Sequence, residues 1–418
     1  MSDFKEYAIG TLVKLGVIEK PLDGNHGEIH PKGNDFINSG IPFIMASDIK
    51  NSSIDFKNCK FISKNQALTL KKGFAKVGDV LLTHKASIGR SAIIPETDNE
   101  YILLTPQVTY YRVKDKQKIN NFYLKYYFDS KYFQSAIFSY SGAGSTRAYI
   151  GITEQLNLPV KLPSLRTQQK IAAVLSSLDS KIELNNKINT KLEAMAKTLY
   201  DYWFVQFDFP NKDGKPYKTS GGKMVWNAEL KREIPDGWDV VRLETIINIY
   251  DSKRIPLSSK ERENMKGVYP YYGATGIFDY INEYIFDGNY ILIAEDGSVM
   301  GDDGLAIVQY IWGKTWVNNH AHVLQPKESE NNEYLFYFLK SISVVQIMTG
   351  SIQKKINQEN LMNVKLALPD SKKLKLFSEF SEPIRKKIIN VIEEIQTLSE
   401  LRNWLLPMLM NGQVTVKH

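Results

Sequence analysis

Four short runs in this 418-residue chain carry residue types that could do chemistry. His320-Ala-His322 spaces two imidazoles two residues apart, which on a strand puts both on one face and could supply two metal ligands. No third ligand accompanies them, so the pair is read as polar surface or a binding contact. Glu295-Asp296 and Asp302-Asp303 are paired carboxylates of the kind that hold a catalytic cation in a nuclease. No lysine follows either pair at the short spacing such sites use, and a turn or loop role is the better reading. Gly313-Lys314-Thr315 has the ending of a phosphate-binding loop, but Val308 stands where the leading glycine belongs and Trp316 follows. That disfavours nucleotide binding. An Asn/Asp-Pro-Pro-Tyr/Phe methyltransferase motif is absent, and so is a glycine-rich cofactor loop after the first strand. The sequence therefore predicts no catalytic residue, no metal site and no cofactor held by this chain.

What remains is a chain built to position and to bind. Its length suggests two to four domains. Hydrophobic residues make up 43% and charged residues 24%, as in a folded globular protein. No run of 18 apolar residues occurs, and the start, Met1 to Glu6, lacks a signal segment, so a cytoplasmic location is expected and a membrane partner is not. Cys59 is the only cysteine, which rules out an internal disulfide and a cysteine-built zinc site and points to an inert thiol. Net charge is +7, unevenly spread: residues 1–165 carry +6 and residues 206–370 carry −4. The first lobe suits a polyanion and the second does not; if the second binds DNA, other chains must supply much of the phosphate neutralisation.

The second half repeats the first. At an offset of 206, Gly144-Ser145 falls on Gly350-Ser351, Ile150 on Ile356, Leu162-Pro163 on Leu368-Pro369 and Leu199 on Leu405. The lobe openings align at 231, with Tyr7 opposite Trp238, so the second copy is 25 residues shorter in its variable middle. Each copy is a strand-rich lobe, with runs such as Asp79–Thr83 and Gln107–Arg112, followed by about 40 residues of helical periodicity. The helix-pair stripe is Leu178, Ile182, Leu192 and Leu199 in the first copy, with Asn185 and Asn189 on the same seam. In the second it is Ile384, Ile388, Val391, Ile395, Leu398 and Leu405, with Pro407 as a possible kink. The fold expected is α+β: two globular recognition lobes, each followed by a long helix, the helices packing as an antiparallel coiled coil with pseudo-two-fold symmetry. The boundaries are 1–165 for the first lobe, 166–206 for its helix and 207–233 for a linker. The second lobe spans 234–370 and the distal helix 371–418.

The run from Leu178 to Phe204, continued by Phe207-Asp-Phe-Pro210, Gly214-Lys-Pro-Tyr217 and Ser220-Gly-Gly-Lys-Met224, resembles the central helix of specificity subunits of type I restriction–modification systems. The resemblance covers the whole order of lobe, helix, lobe, helix, while the lobes match only in outline. It implies a non-catalytic subunit that reads a split double-stranded DNA site, one half per lobe, with the helix pair setting the spacer. It also implies two adenine-N6 methyltransferase subunits and motor–nuclease subunits as partners. S-adenosylmethionine, ATP and magnesium would belong to those partners. A specificity subunit of a fused type II methylation–cleavage system is the alternative of the same class. A protein–protein adaptor that does not touch DNA is the alternative of another class.

Within that reading, base contact needs Arg/Lys, Asn/Gln and Ser/Thr on loops. In the first copy the loop after the Val80–Thr83 run offers His84, Lys85, Ser87 and Arg90, and a small-residue loop offers Ser145, Thr146 and Arg147. In the second copy the counterparts are Ser298, behind Glu295-Asp296, and Ser351, Gln353, Lys354 and Lys355. Tyr271, Tyr272 and Thr275 lie in what reads as a glycine-flanked loop.

Overall fold

The computed structural model describes residues 4–141, 149–328, 332–350 and 354–416. Its residues fall into two compact units, Met1–Asn186 with Glu393–His418, and Lys187–Ile392. Each unit is a lobe plus part of both long helices, so each helix passes from one unit into the other.

Unit 1 opens with β1 (Lys5–Ala8) and continues through β2 (Leu22–Asp23), β3 (Phe36–Ile37), β4 (Ile41–Ile44) and β5 (Lys60–Ile62). Then come β6 (Phe74–Ala75), β7 (Val80–Thr83), β8 (Ser91–Ile93), β9 (Ile102–Leu104), β10 (Val108–Tyr111) and β11 (Pro159–Leu162). One sheet has the order β8-β7-β10-β2 and is antiparallel throughout. A second, β3-β5-β4-β9-β6, contains one parallel pair, β4 with β9. The β7 and β10 strands are buried along their whole length, which is why they read as unbroken apolar or β-branched runs rather than alternating ones. Two helices follow, α1 (Asn121–Asp129) and α2 (Lys131–Tyr140). Ser130 ends the first in an extended conformation and caps the second through its hydroxyl to Phe133 N.

Unit 2 repeats this plan with β12 (Asp239–Arg242), β13 (Ile247–Ile249), β14 (Lys266–Gly273), β15 (Gly276–Ile281) and β16 (Phe286–Asp287). It continues with β17 (Tyr290–Ala294), β18 (Val308–Ile311), β19 (Lys314–Val317), β20 (Ala321–Pro326) and β21 (Lys365–Leu368). Its antiparallel sheet, β18-β17-β20-β13, has the same order as β8-β7-β10-β2, and its parallel pair β14 with β19 matches β4 with β9. Strand register corrects the alignment at the lobe openings. Lys5 pairs with Leu162 and Asp239 with Leu368, so the offset there is 234 rather than 231, and Trp238 stands opposite Phe4 instead of Tyr7.

The long helices are α3 (Leu165–Tyr200), ending in a π turn over Asp201–Val205, and α5 (Ser371–Met410), which follows α4 (Asn332–Lys340) and runs through Pro383 and Pro407. In unit 1, Ile171 and Leu175 near the start of α3 share a core with Leu405, Leu409 and Met410 at the end of α5. In unit 2, Ala196, Leu199, Tyr200 and Trp203 at the end of α3 pack with Leu374, Phe377 and Ile384 near the start of α5. The helices therefore run antiparallel. None of the ten stripe residues is exposed: Ile388 and Val391 are buried, and Leu178, Ile182, Leu192, Leu199, Ile384, Ile395, Leu398 and Leu405 are half-buried. Asn185 is buried on the same stripe, at a stability cost that a register-fixing polar residue carries in coiled coils. No helix among the described residues is long and apolar enough to cross a membrane.

Candidate nucleic-acid interface

In each unit the strand at the centre of the antiparallel sheet ends in a loop held by the same hydrogen bonds. After β7, His84 N donates to Gln107 O at 3.0 Å and His84 O accepts from Ile150 N at 3.1 Å. After β17, Glu295 N donates to His320 O and Glu295 O accepts from Ile356 N, both at 2.8 Å. The next residues are Lys85-Ala86-Ser87 and Asp296-Gly297-Ser298, and in both the middle residue is left-handed, with φ of +66° at Ala86 and +73° at Gly297. Alanine in that region is strained, and such strain persists where the surroundings over-determine it. Here Thr83 does so: its hydroxyl donates to Ser87 O and accepts from Arg90 N at 2.9 Å, while Gly89 N donates to Thr83 O at 2.9 Å.

In unit 1 the loop borders an opening of about 290 Å³ lined by His26, His30, Lys85, Thr105 and Gln107, among others. Thr105 is buried there, and its Oγ1 has no partner among the described residues. Below it, Asp23 is paired with Lys72 and accepts from His26 Nε2 at 2.8 Å. Burial would raise the Asp23 carboxyl, but Lys72 and His26 outweigh it and hold it below the ordinary carboxylate range. Lys85 lies over the Tyr149 ring at 5.9 Å and has no carboxylate partner among the described residues. Arg90 is exposed and reaches back to Ile49 O at 3.3 Å.

In unit 2 the same place holds a charge cluster. Arg254 donates to Glu295 at 2.6 Å, Lys355 to Glu295 at 2.8 Å, and His322 Nδ1 lies 2.5 Å from Asp251. His322 Nε2 donates to Ile356 O at 2.8 Å. Burial pushes the Glu295 carboxyl up, but Lys355 and Arg254 win and lower it. Asp251, Glu295 and His322 bring ligand atoms within 4.8 Å of one another, the one such group among the described residues. Both carboxylates already face cations of the chain, so a metal would have to displace Arg254 and Lys355. Sequence reasoning missed this third-ligand geometry because Asp251 is 71 residues from His322. His320 sits in the turn before β20, not on the strand, and its Nδ1 lies 2.5 Å from Asp296.

Three of the residues expected to contact DNA are placed elsewhere. His84 is fully buried, its Nδ1 2.7 Å from Thr109 Oγ1, because its backbone is still bonded to Gln107 on one side and Ile150 on the other before the chain turns out. Tyr271 and Tyr272 belong to β14 and are buried beside β19. Tyr271 Oη accepts from Leu257 N at 3.0 Å. Lys85, Arg90, Thr275, Ser298, Lys354 and Lys355 are exposed, and Ser87 is half-buried. Ser145, Thr146, Arg147, Ser351 and Gln353 lie outside the described residues. Arg254, Gln107 and His26, which converge on the loops, were not singled out in the sequence. They come from segments far from the loops, and only strand pairing brings them in.

Two segments, residues 1–194 and 235–394, match the model of the type I restriction modification DNA specificity domain. The chain belongs to this family. It is a type I specificity subunit with two target recognition domains, and so a non-catalytic component of its system. Among curated relatives it is similar to the type I restriction enzyme MjaIX specificity subunit of Methanocaldococcus jannaschii, 26% identical over 448 residues, covering 100% of this chain and 97% of the relative. It is also similar to the HindI specificity subunit of Haemophilus influenzae, 22% identical over 99% of this chain and 100% of the relative. The crystal structure of a type I S subunit from M. genitalium shares the fold, with a TM-score of 0.61, 14% identity and coverage of 98% and 96% of the two chains.

The first recognition domain carries a pH liability. Burial pushes the His84 imidazole down from 6.5 to about 4, so the folded domain holds it neutral. An unfolded chain binds the proton more readily, so this contribution is fully present above pH 6.5 and is lost as pH falls through 6.5 towards 4. The loss amounts to about 1.4 kcal/mol per pH unit within that window. Acid unfolding of the His84→Gln variant should show a shallower slope between pH 6.5 and 4 than the unsubstituted chain. Equal slopes would show that His84 is not the group responsible. Cys59 needs no such account: burial raises its thiol to about 11, and it stays protonated and unreactive.

Proposed function

We propose that this specificity subunit binds double-stranded DNA at a bipartite site, each recognition domain reading one half, with the helix pair setting the number of unread base pairs between halves. It directs two adenine-N6 methyltransferase subunits, which bind S-adenosylmethionine, and motor–nuclease subunits, which use ATP and magnesium. Those cofactors belong to the partners, and the complex acts in the cytoplasm. The observation that carries this reading is that both units build the same sheet order and the same strand-end loop, yet set different polar residues around it. One framework with two sets of side chains is what reading two different half-sites requires.

The test is base-resolved methylation mapping in a host producing the chain with its methyltransferase partners. One motif of two fixed halves and a fixed gap, with an adenine modified in each half on opposite strands, is expected. A continuous motif, or none, overturns the proposal. The net charge of −4 over residues 206–370 favours a second reading, an adaptor that clamps protein partners without touching DNA. Affinity of the reconstituted complex separates the two: at fixed salt it should fall on altering either half-site, and indifference to sequence supports the adaptor.

A further inference from the structure

The two strand-end loops share a backbone course but not all their side chains: the anchoring residue is His84 in one and Glu295 in the other, and the residue after it carries opposite charge. Ser87 and Ser298 match, Ile88 and Val299 both point into apolar cores, and Ala86 and Gly297 share the left-handed turn. The residue immediately before that turn is Lys85 in one unit and Asp296 in the other. The residue before each is held in the same way in both, by the paired bonds of His84 to Gln107 and Ile150 and of Glu295 to His320 and Ile356.

We propose that Lys85 and Asp296 read the same position of their respective half-sites in opposite sense. Lys85 donates to the O6 and N7 acceptors of a guanine, and Asp296 accepts from the N4 amino group of a cytosine. The assignment rests on the reading of the chain as a subunit that binds specific DNA.

The surroundings of each residue agree with its role. Lys85 edges an opening whose other polar walls are His26, His30, Gln107 and the unpartnered hydroxyl of buried Thr105, so nothing there competes for its ammonium. Its contact with the Tyr149 ring steers the side chain without neutralising it. Asp296 is about one-third exposed, and one carboxylate oxygen faces His320 Nδ1 at 2.5 Å. His320 N in turn donates to Asn318 Oδ1 at 2.9 Å, fixing the turn that carries the imidazole. A carboxylate has lone pairs to spare after that contact, and the anchored oxygen holds the other in one direction. Lysine and aspartate at one place on two copies of a loop invert the donor–acceptor sense, which is how a major-groove reader tells guanine from cytosine.

Methylation mapping of the intact complex tests this, with the unsubstituted chain defining both half-sites. In Asp296→Lys, one position of a single half-site should change from cytosine to guanine while the other half-site is unaltered. Lys85→Asp should make the reverse change in the other half. The near-isosteric Asp296→Asn and Lys85→Gln should relax the same two positions, closing most of the about ten- to hundredfold discrimination that a direct base contact supplies. If Asp296→Lys abolishes methylation altogether, the Asn and Gln variants decide. An unchanged motif, at undiminished stringency in these variants, overturns the assignment. A missing bipartite motif with the unsubstituted chain instead overturns the parent reading, so the two failures are distinguishable.

Discussion

Replacing Glu333 by alanine is expected to destabilise unit 2 by about 3–5 kcal/mol, because it strands a buried guanidinium. Arg385, on α5, donates through Nε and Nη2 to the two carboxylate oxygens of Glu333 on α4, at 2.8 and 2.9 Å. The Arg385 side chain is 9% exposed and that of Glu333 is 4% exposed, so water cannot take over the lost partner. The rings of Tyr310 and Phe336, each 4.4 Å from the guanidinium carbon, and Tyr337 at 6.0 Å close the remaining sides. Denaturant unfolding followed by tryptophan fluorescence gives the measurement, since Trp203 and Trp238 both lie in the unit 2 core. A loss below about 1 kcal/mol would show that the pair is far more hydrated than its burial implies. The double replacement Glu333→Leu with Arg385→Met should recover much of the loss, since apolar side chains of similar volume suit a site walled by aromatic rings.

The same position of the other helix carries the opposite charge. Asp179 is 206 residues before Arg385, and it is held by Tyr126 Oη at 2.7 Å, Arg402 Nη1 at 2.9 Å and Lys125 Nζ at 3.5 Å. Burial would raise the Asp179 carboxyl, but Lys125, Tyr126 and Arg402 together lower it. Lobe 1 thus offers a cation to an anionic helix position and lobe 2 an anion to a cationic one. Either lobe docked on the other's helix position would bury two like charges. Buried like charges of this kind exclude the wrong partner, as charged positions do in coiled coils.

Such pairs mark the limit of what the sequence discloses. The stripes on the two helices are legible because a buried helix face repeats every three or four residues, and Leu178, Ile182, Ile388 and Val391 follow that rule. The end of each lobe is legible because the offset of 206 holds through Leu162-Pro163 and Leu368-Pro369. The lobe openings are not, since three residues of drift separate aromatic identity, Tyr7 with Trp238, from strand register, Phe4 with Trp238. Polar reading groups are harder still. His84 and Lys85 are polar neighbours in the sequence, yet His84 is held inside by Gln107, Ile150 and Thr109 while Lys85 begins the turn and is exposed. Arg254 and Glu295 meet only because β13, β20 and β17 are neighbours in one sheet. No local pattern announces that contact.

Lengthening both helices by one heptad should add about three base pairs to the unread spacer while leaving both half-sites as they are. Seven residues extend a helix by about 10 Å, and base pairs stack at about 3.4 Å. A heptad also returns the apolar stripe to nearly the same face, so the seam survives. The insertions belong where the helices leave unit 1, between Asn186 and Lys187 in α3 and between Ile392 and Glu393 in α5. Both are needed. Unit 1 packs Leu175 near Leu409, and unit 2 packs Trp203 against Phe377, so extending α3 alone would force one of these cores out of register. The single insertion should therefore lower stability and methylation, whereas the paired insertion should keep both. A paired insertion of four residues turns the stripe by about 40° per helix and is expected to fail like the single one. Methylation mapping reads all three variants. Should the paired heptad alter a half-site, or leave the spacer unchanged at full methylation, the helices do not act as the ruler, and the spacing would have to come from the partner subunits.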